Sequence, residues 1–562
     1  MKSEVNVAPR NSFLFEARAL GQSLAPLLRT GSFWFRPTMV PGLLNCLARW
    51  RFAISGLVSI GAIRYPDRLA LVDDDGELTY TQLRDHSIAL AEAMMDLGLG
   101  ESSAFGVMAR NGRGIIMPMA VKSYVGAEIM LMNTGASPIQ IEGLIQQNDM
   151  KFLFIDEEFL DQLPEDMHGC RVVVSHMEDY SARDGLPDGA LVMRDLYEAG
   201  GASTLKFRPK QGRIIIMSSG TTGLPKGILR DEPKTPSPLG AMADRVPWRR
   251  NMVIHQSATM FHAWGWANVI IAMATGATLV TQRNFDGGRC IDQCLRYGVQ
   301  GMISAAVWLR HFREALLERP EDEAKLGPFE FLVSSGNAIP PWLVTELTER
   351  FGPVVCNFYG STEAGLTSIA TGPEMAKRPD TAGRPGIGVR LAILDEHNRP
   401  VRPGEVGRLH TVMAMTFNGY LSEEDSFRTV DGMFEIGDLA RQDEDGFLYI
   451  CGRSDDMIIK GGENIFPREV EELVGAIHGT ADVFARGVHD DDLVASLHVY
   501  VVRSDTELGR ALTEQSIKDH VAEHLASWSV PDRVFFVDSL PRNPAGKVVL
   551  RELDAQMAAR AE

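Results

Sequence analysis

Met217-Ser-Ser-Gly-Thr-Thr-Gly-Leu-Pro-Lys-Gly227 follows the run Arg213-Ile-Ile-Ile216, and these two stretches decide how the rest of the chain is read. A short apolar run of this kind forms a buried strand. It delivers the chain into a loop with three glycines, four hydroxyl residues and one lysine. Glycines let backbone amides approach an anion closely, hydroxyls donate further hydrogen bonds, and Lys226 adds positive charge. The loop is a phosphate cradle in outline. It is not the common nucleotide loop, because a Ser or Thr must follow the lysine there to ligate magnesium, and Gly227 stands in that place. A plain surface linker rarely follows a buried strand or contains Leu-Pro-Lys.

Working upstream, helix and strand signals alternate. Leu69-Ala-Leu-Val is strand-like, and the Thr79 hydroxyl caps a helix running to about Leu97 with Leu83, Leu90, Met94 and Leu97 on one face. Phe105-Gly-Val-Met reads as a strand, 114–122 as a helix, and Glu128-Ile-Met-Leu-Met, Lys151-Phe-Leu-Phe-Ile and Arg171-Val-Val-Val as further strands. This alternation predicts an α/β protein with largely parallel sheets. Downstream, Asp231-Glu-Pro-Lys-Thr-Pro-Ser-Pro reads as a surface connection, since three prolines cannot enter a helix or sheet interior.

Composition limits the alternatives. At 562 residues the chain exceeds one ordinary core and predicts several domains. A net charge of −18 leaves no basic surplus for nucleic acid, so none is expected as a partner. Six scattered cysteines show neither a disulfide framework nor a zinc site, and reduced thiols in a cytoplasmic protein are expected. The start of the chain lacks a secretory signal pattern. Residues 33–63 are apolar, but Arg36, Arg49 and Arg51 interrupt them, so no membrane span is predicted. That flank is expected to pack on the main domain, with peripheral membrane contact as its other reading.

Six further stretches carry chemistry. Met260-Phe-His-Ala-Trp-Gly-Trp266 sets His262 and Trp264 ahead of an apolar segment; a core histidine and a pocket-lining ring are both open readings. Glu330 to Pro340 is a strand entering the turn Gly336-Asn337-Ala338, where α/β sheets meet ligands. Asn357-Phe-Tyr-Gly-Ser-Thr-Glu-Ala364 combines aromatic rings with a hydroxyl and a hard carboxylate, Glu363. Phe434-Glu-Ile-Gly-Asp-Leu-Ala440 supplies Asp438, whose two oxygens suit a pair of hydroxyls. Tyr449 to Asn464 contains Arg453, a forked donor, then Asp455 and the pair Gly461-Gly462. Pro541-Arg-Asn-Pro-Ala-Gly-Lys-Val-Val-Leu-Arg551 puts Lys547 behind a Pro/Gly loop.

In this order, from about residue 79 to residue 551, the motifs resemble those of the adenylate-forming superfamily: acyl-CoA synthetases, peptide-synthetase adenylation domains and firefly-type luciferases. The chain is most similar to a fatty-acid–CoA ligase. The resemblance implies a large N-terminal domain of two α/β subdomains plus a distorted β-barrel, and a small mobile α/β C-terminal domain. The expected boundaries are 1–64 for a packed flank, 65–451 for the adenylation domain and 452–562 for the mobile domain.

It also implies roles. Ser218, Ser219, Gly220, Thr221, Thr222, Gly223 and Lys226 would hold ATP phosphates. Gly336, Asn337, Ala338, Asn357, Phe358, Tyr359, Gly360, Thr362, Asp438 and Arg453 would contact the rest of ATP or AMP. His262, Trp264 and Gly336 would line the acyl site, Glu363 would ligate Mg2+, and Lys547, Thr221 and Glu363 would be catalytic. Asp455 would be the hinge, and Gly461 and Gly462 would flank coenzyme A. The implied reaction joins a small carboxylic acid, expected to be a medium- or long-chain fatty acid, to CoA through an acyl-adenylate. An acyl-AMP ligase that loads a carrier protein and a luciferase-like oxygenase are the alternatives. A homodimer is a further candidate assembly.

Overall fold

The computed structural model describes residues 3–5, 13–32, 35–218, 226–232, 235–413, 417–421, 427–454, 457–460, 463–490, 494–543 and 546–561. Ser219, Gly220, Thr221, Thr222, Gly223, Asp455, Gly461 and Gly462 lie outside the described residues. The side chains of Ser218 and Lys226 do so too, although their backbones close strands.

Two large mixed sheets form the body. In the first, Ile214–Ser218, Glu128–Leu131, Ala104–Met108, Met150–Ile155 and Arg171–Val174 run parallel in that spatial order. Lys226–Arg230 and Phe417–Tyr420 extend one edge antiparallel. In the second, Leu69–Asp73, Thr278–Thr281, Val253–Gln256, Gly301–Ser304, Phe331–Ser334 and Val355–Ser361 run parallel, with antiparallel strands at both edges. Parallel neighbours require long crossovers. The helix–strand alternation of the sequence supplies them.

Strands buried on both faces must be apolar throughout, because successive side chains point to opposite sides. Ile214 and Ile216 face a core shared by both sheets, while Ile215 and Met217 pack into the layer beneath. Helix Tyr80–Asp96 enters the shared core through Leu83, Leu90 and Met94. Its start is fixed by a reciprocal pair of bonds: Thr79 Oγ1 accepts the Gln82 N–H, and Gln82 Oε1 accepts the Thr79 N–H.

The N-terminal flank packs against this body. Helix Val40–Trp50 buries Leu43, Cys46 and Trp50, and helix Ile54–Arg64 is buried along most of its length. At Gly61 a Cβ would stand 2.3 Å from the Tyr80 ring, so only glycine permits this approach. No helix among the described residues is long and apolar enough to cross a membrane.

The expected surface connection after Asp231 needs correcting. Pro238 sits in the first turn of helix Ser237–Arg245, where a missing N–H costs nothing, and Ser237 is buried. Glu232 turns inward to meet the fully buried Lys122, 2.7 Å away.

The third part of the large domain is a curled antiparallel sheet built around Met433–Gln442, which pairs with Gly407–Met413, Phe427–Val430 and Leu448–Arg453. It corresponds to the distorted barrel expected from sequence. The small C-terminal domain has a three-stranded sheet of Thr480–Asp490, Val494–Arg503 and Arg533–Val537. Helices Pro467–Gly475 and Glu514–His524 cover Leu497, Val499 and Val501 on one face. The terminal helix Leu550–Ala561 reaches Tyr500 on the other through Leu553.

Candidate active site

A cavity of about 2450 Å³ lies between the large and small domains. That exceeds the ~300–1000 Å³ of an ordinary single-ligand pocket, as a cleft holding several reactants requires. Strand ends and turns of both domains deliver its polar side chains.

Strand Val355–Ser361 sends its residues alternately to two sides. Tyr359 faces the curled sheet, and its hydroxyl donates to Asp438. Burial and the adjoining carboxylate push the Tyr359 phenol well above its ordinary range, so it remains protonated as the donor. Burial raises the Asp438 carboxyl, against the lowering effects of the Tyr359 bond and of Arg453. Arg453 Nη1 lies 3.4 Å from Asp438 Oδ1, on the neighbouring strand. Tyr359, Asp438 and Arg453, read from three separate motifs, therefore form one network.

Phe358 points the other way. It rests on Trp264 at 4.5 Å between ring centroids, which sets it beside the acyl-site candidates rather than beside Tyr359. The Trp264 indole N–H donates to the Ser304 carbonyl at 3.1 Å, which fixes the ring. His262 occupies the N-cap position of helix Ala263–Thr275. Burial and the charge of Lys547 hold its imidazole down at about 4, so it is neutral at pH 7. Its Nε2 is buried without a hydrogen-bond partner among the described residues.

The Gly336-Asn337-Ala338 turn lines the cavity, and Gly336 takes φ +90°, a conformation that favours glycine. Asn357 Nδ2 donates to the Thr381 carbonyl at 3.1 Å. At Gly360 a Cβ would lie 2.1 Å from the Gly365 carbonyl oxygen, so glycine allows the turn that presents Thr362 and Glu363. Among the described residues, the one hydrogen bond of the Glu363 carboxylate comes from the Tyr420 hydroxyl, 3.4 Å from Oε1. A carboxylate lining the cavity offers the hard oxygen ligand that a divalent cation takes.

Lys547 enters the same cavity from the small domain. Its N–H donates to Asn543 Oδ1 at 2.9 Å, and its carbonyl accepts the Asn543 N–H at 2.8 Å, closing the loop that carries it. Its charge acts on both His262 and Asp438.

Sequence reasoning missed two neighbours of Glu363. Arg230, half-buried at the end of strand Lys226–Arg230, donates to the Thr362 carbonyl and faces Glu363; desolvation lowers its guanidinium to about 10. The signal was an arginine closing an apolar strand. Tyr420 closes strand Phe417–Tyr420, which lies outside the stretches quoted from the sequence above.

The architecture and site define a two-domain enzyme of the adenylate-forming type. The anthranilate CoA ligase AuaEII, solved in complex with anthranoyl-AMP, shares the fold with a TM-score of 0.76 at 20% identity, over 91% of this chain and 98% of that one. The chain belongs to the AMP-binding enzyme family, which matches residues 61–421, followed by the AMP-binding enzyme C-terminal domain at 469–547. The medium/long-chain-fatty-acid–CoA ligase FadD8 of Mycobacterium tuberculosis is 29% identical, over 88% of each chain. The fatty acid–[acyl-carrier-protein] ligase ScoC of Streptomyces coeruleorubidus is 27% identical, over 88% of this chain and 94% of its own.

Proposed function

We propose that the protein is an AMP-forming acid–CoA ligase acting on apolar carboxylic acids, with medium- or long-chain fatty acids as the preferred class. One observation carries the choice of acid. Beyond His262 the cavity is walled by Ala263, Ala267 and Ile270 from one helix face, and by Leu239 and Met242 from the helix beside it. Spacing of i, i+4 and i+7 presents one continuous apolar stripe, and an alkyl chain laid along it leaves water at ~25 cal/mol per Å².

In the first half-reaction a carboxylate oxygen attacks the α-phosphorus of ATP, the bond to the β-phosphate oxygen breaks, and pyrophosphate leaves. The loop from Ser218 to Lys226 holds the departing phosphates with its hydroxyls, amides and ammonium. Tyr359 orients Asp438 toward the ribose hydroxyls, and Arg453 steadies the same carboxylate. Lys547 bridges the substrate carboxylate and the α-phosphate, bringing two anions into line. Glu363 is the residue to hold Mg2+, which when bound offsets phosphate charge. His262, neutral and half-buried, bounds the carboxylate pocket without adding charge.

In the second half-reaction the small domain turns about Asp455, withdrawing Lys547 and bringing Gly461-Gly462 to the cavity. The CoA thiol attacks the acyl carbon, AMP leaves with the anhydride oxygen, and the thiol proton passes to solvent. Incubation with ATP, Mg2+, CoA and a panel of octanoate, dodecanoate, palmitate and benzoate, read by mass spectrometry, tests the proposal. Acyl-CoA and AMP from the alkyl acids are expected. Acyl-adenylate without thioester would transfer the assignment to carrier-protein loading, and oxygen consumption would point to an oxygenase.

A further inference from the structure

The loop that carries Lys547 is tied to the large domain through one carboxylate. Asp482, on strand Thr480–Asp490 of the small domain, receives Arg542 in a fork: Nε to Oδ2 at 3.0 Å and Nη2 to Oδ1 at 3.0 Å. Arg542 Nη1 donates to the Gly546 carbonyl at 2.6 Å, one residue before Lys547. The same Asp482 Oδ1 accepts Arg310 Nη1 at 3.2 Å. Arg310 lies on helix Ala306–Glu318 of the large domain. All three side chains are largely covered, at 16%, 26% and 20% exposure for Asp482, Arg542 and Arg310, so water screens them less than a surface pair.

Steric fit repeats the contact. Gly546 adopts φ +81°, and a Cβ there would stand 2.7 Å from Asn337 Nδ2 and 3.4 Å from Val307 of the same large-domain helix. The tip of the loop thus touches the turn that lines the cavity, and the ion cluster holds its base.

We propose that Asp482 is the interdomain latch of the adenylation state, a positioning residue that fixes the Lys547 loop in the cavity by pairing Arg542 with Arg310. The inference rests on the two-step function above. When the small domain rotates for the second half-reaction, Asp482 keeps Arg542, which belongs to its own domain, and loses Arg310. The latch therefore stabilises one orientation and leaves the loop's own shape intact. It favours the first half-reaction and is neutral or inhibitory to the second.

The test uses the full chain with Asp482→Asn and Arg310→Met made singly and together; Arg310→Met leaves the small domain untouched. With dodecanoate as the probe acid, acid-dependent ATP–pyrophosphate exchange should fall roughly 10-fold or more in each single variant. Thioester formation from supplied dodecanoyl-adenylate should stay within about twofold. The double variant should lose little beyond the worse single one, since both act through one contact. Independently of activity, nitroxides at Glu318→Cys and Glu507→Cys in a Cys451→Ser background should give a defined interdomain distance that broadens or shifts in Asp482→Asn. Unchanged distances, or equal loss of both half-reactions in variants that melt like the wild type, would overturn the latch. A wild-type chain with no exchange activity would instead count against the function, while the distances still decide the latch.

Discussion

At the scale of single residues, the network around Asp438 depends on one phenol. Tyr359→Phe removes the donor and leaves a half-buried carboxylate short of a partner, which costs roughly 1–2 kcal/mol when the polar group is not rescued by water. Urea unfolding should show that loss; an unchanged midpoint and slope would mean the bond is not a stabilising one. Glu471 gives a prediction with a pH sign. Burial raises its carboxyl to about 7, against the Ala485 N–H that donates to it. Because the folded value exceeds the unfolded one, the folded state binds the extra proton, so stability is full below about 4.5 and declines as pH rises toward 7. Glu471→Gln should flatten that decline and raise stability at pH 8 by about 1–2 kcal/mol, read from melting curves across pH. A variant whose stability follows the wild-type pH curve would refute the assignment.

At the scale of elements, helix Ala263–Thr275 is the wall that, under the proposed function, sets what the acid pocket admits. Ala267 lies in the middle of its cavity-facing stripe. Ala267→Phe should shorten the apolar space, lowering kcat/KM for palmitate by roughly tenfold or more relative to octanoate, since each lost methylene contact is worth about 1 kcal/mol or more. An unaltered chain-length profile would move the acyl chain to another wall. Elements were also where sequence was most legible. The predicted strands around Phe105, Ile129, Phe152 and Val172 all form, and Thr79 caps its helix as expected, because period and capping are local properties. Strand geometry sends Phe358 and Tyr359 of the Asn357-Phe-Tyr-Gly motif to opposite faces, an arrangement that the wording of the motif does not display. Pro238 was judged by its neighbours' prolines rather than by its place at a helix start, where proline is well tolerated.

At the scale of the whole molecule, what stayed hidden is what joins distant segments. Arg310, Asp482 and Arg542 are 172 and 60 residues apart, and each alone reads as an ordinary surface charge. Glu232 and Lys122 are 110 apart and meet only because the connection after strand Lys226–Arg230 passes helix Arg113–Val125. The motifs around Tyr359, Asp438 and Lys547 escaped that difficulty, since their family wording carried a long-range arrangement that no local period encodes. The domain arrangement in turn makes a prediction about Lys547. It stands in the cavity near His262 and Asp438 in this orientation of the small domain, and under the proposed function it is the residue the second half-reaction must remove. Lys547→Ala should cut acid-dependent ATP–pyrophosphate exchange by roughly 10²–10³-fold, the range for deleting one preorganised electrostatic contact to a developing charge. Thioester formation from supplied acyl-adenylate should persist near wild-type rates, because the lysine has left the site by then. If both half-reactions fell together in a variant with an unchanged melting temperature, Lys547 would serve both steps, and a single orientation of the small domain would have to support the whole reaction.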